Sequence, residues 1–214
     1  MSDDELRAAV TAERREQARL LAALRPEQWD APTLCDGWRV REVVAHTTMP
    51  FRTSVARALW ELARARGDIN RMADRAARRD AARMSTDELV AAVADNVDHR
   101  WTPPGGGVGG ALSHDVVHGL DVTVGLGLDR RVPPDRVALV LAGMSPRNVR
   151  FFGTDLSGVA LRATDLDWGL GEGTPLRGLA QDLLLVVCGR RLPPGRLDGP
   201  DAPRFSRPGD RSGR

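Results

Sequence analysis

Residues Ser113–Asp121 read SHDVVHGLD, and this stretch ties the fold of the chain to its chemistry. It lies in an apolar run from about Ala111 to Leu126, whose length and spacing predict a helix. On that helix His114 and His118 project within about 40° of each other, close enough for both imidazoles to hold one ion. Asp121 falls on the same stripe, where it can accept the second ring N–H of a ligand histidine or act as a ligand itself. Asp115 points about 100° away and ranks lower. A bare H-x-x-x-H also arises by chance, so its weight depends on what else reaches that helix.

Working outward, Pro103, Pro104 and the run GGGVGG precede the histidine helix. These glycines either permit close backbone approach or act as a flexible connector. There is no P-loop here, because the run lacks the lysine that such a loop needs. Further upstream a helix starts near Arg39, with Val40, Val43, Val44 and Thr47 on one face. His46 sits at the edge of that face, where a side chain points into a seam between helices. It reads either as a third ligand or as a core histidine bonded to a backbone carbonyl. His99, opposite Leu89, Val93 and Val97 on its own helix, is expected to face water.

The remaining pattern is largely helical. Residues 3–24 form an amphipathic helix carrying Leu6, Val10, Leu20, Leu21 and Leu24, stopped by Pro26. Pro50 is expected to kink or break the second helix, with Phe51, Val55, Leu59 and Leu62 continuing its pattern. Seven arginines between Arg64 and Arg83 read as a solvated helical face or a mobile connection rather than a phosphate-binding strip. Ser85 and Glu88 form a capping box for a helix bearing Leu89, Val93, Val97 and Trp101. Pro133, Pro134 and Asp135 announce another, ending near Pro146.

The period then changes. Val159 with Leu161, and Leu166 with Trp168 and Leu170, suggest two short strands separated near Asp165. Leu176 to Val187 return to helical spacing. The expected layout is therefore a helical bundle over 1–130, a small α/β domain over 131–192 and a disordered tail over 193–214.

Composition narrows the function classes. All 31 basic residues of the 214-residue chain are arginine, and they face 29 acidic ones for a net charge of +2. That balance gives a weak long-range field and argues against a nucleic-acid partner. No apolar run approaches the ~18–20 residues that span a bilayer, so no membrane association is expected. The acidic, amphipathic start MSDDELRAAV does not read as a secretory signal, and a cytoplasmic protein is the expectation. Two cysteines cannot make a disulfide framework. Cys188 reads as core. Cys35 reads either as a small apolar packing group or as a reactive thiol close to a bound ion. Trp29, Trp38, Trp101 and Trp168 read as packing residues.

LCDGWRVREVVAH (34–46) followed by HDVVHGLDV (114–122) resembles the DinB-like metalloenzyme superfamily. More specifically it is similar to the actinobacterial branch that includes mycothiol-dependent maleylpyruvate isomerase. That branch carries an L-C-x-G-W loop, here Leu34, Cys35, Gly37 and Trp38, then a valine and a histidine, here Val40 and His46. A later E/H-x-x-x-H pair followed by aspartate matches His114, His118 and Asp121. TDLDWGLG (164–171) and PLRGLAQDLLLVVCGRR (175–191) resemble the C-terminal part of the same branch.

The resemblance implies a mainly α protein, a DinB-like four-helix bundle followed by a sterol-carrier-like α/β domain. It implies a divalent ion on His46, His114 and His118, with Asp121 behind them. The branch tends to place glutamate where this chain has His114, so the donor set here is all imidazole. Zinc suits such a set first, with nickel, cobalt or iron as alternatives. Mycothiol is the implied cosubstrate, for isomerisation or thiol transfer onto a small electrophile, in a monomer or homodimer. Arg190 is a candidate clamp for a substrate carboxylate, or else caps a helix C-terminus. The competing reading is a regulatory protein that binds a metal or small ligand without catalysis.

Overall fold

The computed structural model describes residues 2–208. The chain divides after Leu126 into two compact units, against the expected boundary near residue 130.

The first unit is helical. Helix α1 (Asp3–Ala22) opens on a Ser2/Glu5 capping box, and α2 (Val40–Arg52) on Arg39 with Glu42. Then follow α3 (Val55–Arg64), α4 (Ile69–Ala81), α5 (Thr86–Ala94) and α6 (Gly107–Gly125). Helix α1 packs on α5 and α6, while α2 packs on α4, α5 and α6. The core between them holds Leu21, Trp29, Val43, Val44, Leu89, Val93 and Val122. The Ser85/Glu88 capping box starts α5 as expected.

Several boundaries differ from expectation. Pro50 does not end α2, because a missing amide removes one helix bond without forcing the chain to turn. The break comes at Thr53, and Arg52 Nη2 donates back to the Ala45 carbonyl across 3.0 Å. Helix α3 buries none of its residues; Val55, Leu59 and Trp60 are exposed. The arginine-rich stretch is not a mobile connection but α4, which buries Ala76, Ala77 and Ala81 and leaves Arg71, Arg75 and Arg78 exposed. Helix α5 stops at Ala94, so Val97 and Trp101 lie beyond it. Helix α6 starts inside the glycine run, where a Cβ on Gly110 would stand 2.9 Å from Pro103.

The second unit carries α7 (Pro134–Ala142), α8 (Pro146–Phe151), β1 (Val159–Ala163), β2 (Gly169–Leu170), β3 (Thr174–Gly178), α9 (Ala180–Val187) and β4 (Leu197–Asp198). The sheet order is β2-β1-β3-β4. Strands β1 and β3 run parallel with Leu161 opposite Leu176, and both outer pairs are antiparallel. Helix α9 is buried along its whole length and includes no residue of β3. Leu176 therefore belongs to a strand, not to the helix that its spacing suggested. Helix α8, with Asn148 on the Ser145 amide, was not foreseen. A mainly helical first part and a small mixed sheet are the fold class the sequence implies.

The expected disordered tail needs correcting over its described part. Leu192 and Ser206 form a parallel bridge, β4 pairs with β3, and Phe205 is buried. Two apolar anchors, Leu197 and Phe205, are enough to dock a segment otherwise made of Pro, Gly and Arg. The rest of that expectation, residues 209–214, lies outside the described residues.

Candidate metal centre

Helices α2 and α6 bring His46, His114 and His118 together. One ring nitrogen from each lies within 4.8 Å of the other two. The Nε2 atoms of His46 and His114 stand 3.3 Å apart. Two nitrogens bonded at about 2.0–2.1 Å to one tetrahedral ion would be separated by about 3.3–3.4 Å, so this spacing fits a shared cation. His99 is exposed, as expected, and its Nδ1 accepts the Trp101 amide.

Each histidine of α6 has its own carboxylate. His118 Nδ1 donates to Asp121 Oδ2 over 3.0 Å, one turn along the same face. His114 Nδ1 donates to Asp115 Oδ1 over 3.0 Å. Placing the N–H on Nδ1 leaves each Nε2 with its lone pair available, the arrangement seen in metal-ligating histidines. Asp115 thus does for His114 what was expected only of Asp121. Its side chain leaves the helix at another angle but bends far enough to reach its neighbour.

Asp115 is held from α1. Arg14 Nε donates to Asp115 Oδ2 over 2.7 Å, and Arg14 Nη1 to the His99 carbonyl over 2.7 Å. Gln17 Nε2 bonds both the Asp115 carbonyl and Glu13 Oε1. Glu13, Arg14 and Gln17 are all buried. A polar layer therefore lies beneath the imidazoles where an apolar stripe would ordinarily continue.

The loop before α2 closes the other side. Leu34 N donates to the Asp121 carbonyl, and Thr33 N to that of Trp38. A Cβ on Gly125 would come within 2.7 Å of Thr33 Cα, so only glycine lets α6 and this loop approach so closely. Helix α4 pins the same loop: Trp38 Nε1 donates to Asp74 over 2.8 Å and Arg78 Nη2 to the Gly37 carbonyl over 3.1 Å. The Trp38 ring then stands 5.1 Å from that of His46, and Trp101 5.2 Å from that of His114. These two tryptophans wall the imidazoles as well as pack.

Cys35 on this loop lies beside the site. Its Sγ donates to Asp121 Oδ2 over 3.0 Å and stands 3.8 Å from His118 Nδ1. Cys35, His118 and Asp121 form a second close group that shares His118 with the first. Arg190 belongs to the second unit, where its Nη1 donates to the Cys188 carbonyl just past α9. That contact is the helix-capping arrangement. Cys188 is buried, as expected.

A helical bundle presenting three imidazoles, two of them braced by carboxylates, defines the class: a protein with a candidate divalent-metal centre of nitrogen donors. Residues 10–105 match the family described as the mycothiol maleylpyruvate isomerase N-terminal domain. The matched segment includes the Leu34–Trp38 loop and His46 and ends before α6. The fold is like that of the mycothiol-dependent maleylpyruvate isomerase crystal structure, with TM-score 0.61 at 13% identity over 97% of this chain and 95% of that one. A histidine-to-alanine mutant of that enzyme matches equally, with TM-score 0.61 at 13% identity. No curated protein matches the chain in sequence. The resemblance read from the two histidine motifs therefore holds for the N-terminal domain and for the fold. Among the described residues no helix is long and apolar enough to cross a membrane.

Proposed function

We propose that this protein is a metal-dependent, thiol-using enzyme of the mycothiol-dependent isomerase or S-transferase type. The observation that carries the reading is the convergence of His46, His114 and His118 within a fold like that of a mycothiol-dependent isomerase. A divalent ion held there, zinc first, would supply Lewis acidity to the sulfur of a small thiol and to a carbonyl oxygen of its partner.

The chain's own residues do the rest. Asp115 and Asp121 fix the ring tautomers of His114 and His118, so neither imidazole must reorganise to present its lone pair. Arg14 balances the buried charge of Asp115 and holds its carboxylate against the ring. Trp38 and Trp101 limit water around the imidazoles, which strengthens every electrostatic interaction there. Three protein donors leave a position open for an exchangeable ligand, as catalytic rather than structural sites do. The substrate is then a small molecule with an electrophilic carbon, either an activated alkene or a carbon bearing a leaving group.

The test is thiol consumption. Metal-loaded protein incubated with mycothiol and a panel of electrophiles should consume thiol or isomerise an alkene, and His118→Ala should abolish this. If the panel yields ligand binding but no turnover, the protein is a regulatory binder and the enzymatic reading fails.

A further inference from the structure

A second polar site lies on the other side of α2. Arg52, Thr53, Arg57, Arg79, Asp80 and Arg83 line a cleft of about 250 Å³ where the end of α2 meets α3 and α4. Arg52 follows His46 by six residues, which carries it about 240° round the helix. It leaves α2 toward α4, where its Nη1 meets Asp80 Oδ2 at 3.1 Å, and not toward the imidazoles on α6.

The four arginines fall into two pairs. Arg52 and Arg79 are fixed, since both donate to Asp80 and Arg79 also donates to Glu61. Their side chains are only 24% and 23% exposed. Arg57 comes no nearer than 4.0 Å to Glu61, and Arg83 makes no ion pair among the described residues. Four guanidinium groups against the carboxylates of Asp80 and Glu61 leave two positive charges. Like charges gathered in one cleft repel, and a bound dianion removes that repulsion. Guanidinium forks also match the paired oxygens of carboxylates and phosphates.

We propose that this cleft binds a small dianionic oxyanion, a phosphate group or a dicarboxylate, apart from the metal centre. Arg52 and Arg79 form its fixed floor, and Arg57 and Arg83 close on the ligand.

Titration calorimetry of the full chain tests this with inorganic phosphate in one arm and succinate in the other. Ionic strength is held constant with chloride, because screening weakens exposed contacts. One saturable site per chain is expected in at least one arm. The double variant Arg57→Ala/Arg83→Ala, changed only at exposed positions, should bind about tenfold or more weakly. His118→Ala should bind as the unaltered chain does. Binding of phosphate alone assigns a phosphate group, and binding of succinate alone a dicarboxylate. No saturable binding in either arm overturns the proposal, as does binding that survives the double variant or disappears with His118→Ala.

Discussion

Arg14 Nε donates to Asp115 Oδ2 across 2.7 Å, and the two side chains are sealed from water at 2% and 4% exposed. This pair links α1 to the histidine helix. A buried pair adds little over apolar packing, but breaking it strands a charge. Arg14→Leu is therefore expected to destabilise the first unit by about 3–5 kcal/mol. Urea unfolding of the two proteins measures the difference, and an equal midpoint would remove Arg14 from this role.

Asp115→Asn and Asp121→Asn test the bracing of the imidazoles separately. Each should weaken divalent-ion affinity by about 10–100-fold without removing a ligand. Competition against a chromophoric chelator reads the change. Asp121→Asn is expected to have the additional effect of disturbing the Cys35 contact, because one carboxylate oxygen serves both neighbours.

Cys35→Ala separates the two ways of reading that thiol. As a neighbour that only donates to Asp121, its loss should cost about 0.5–1.5 kcal/mol and leave the ion stoichiometry unchanged. Loss of the bound ion in this variant would make Cys35 a ligand instead.

Glu42 gives the first unit an acid-sensitive anchor. Burial disfavours its charge, but hydrogen bonds from the Arg39 amide and guanidinium outweigh this and hold the carboxyl below its usual 4.5. A lowered folded-state value means the stabilisation is complete above the unfolded value and is lost as pH falls through the folded one. Unfolding free energy should thus drop between about pH 5 and pH 3, with a shallower slope in Glu42→Gln. The same variant should be about 1–3 kcal/mol less stable at neutral pH. Parallel pH profiles for the two proteins would contradict this.

Periodicity made the bundle and the imidazole cluster legible, because a helix converts spacing directly into direction. His114, His118 and Asp121 share a stripe by spacing alone, and the structure keeps it. The polar layer on α1 is not legible from periodicity because Glu13, Arg14 and Gln17 are residue types that ordinarily face water. Yet they continue the stripe of Leu6, Val10 and Leu21, and charged residues on a buried stripe are the signal for a partner across the interface. Asp115 escaped for a related reason: helical angles place Cβ atoms, and a flexible carboxylate reaches beyond them. The short strands β3 and β4 have no period to detect over five and two residues, and only pairing defines them. The cleft arginines come as two groups more than twenty residues apart along the chain, Arg52 with Arg57 and Arg79 with Arg83, so no local pattern joins all four.

The central claim is that three imidazoles from α2 and α6 hold one ion. Elemental analysis of protein purified without chelators, or loaded with zinc, nickel, cobalt or iron and then desalted, tests it most directly. The predicted result is about one divalent ion per chain, lost in His46→Ala and in His118→Ala and retained in His99→Ala. Protein that takes up none of these ions, or that keeps its ion in folded His46→Ala and His118→Ala variants, would contradict it.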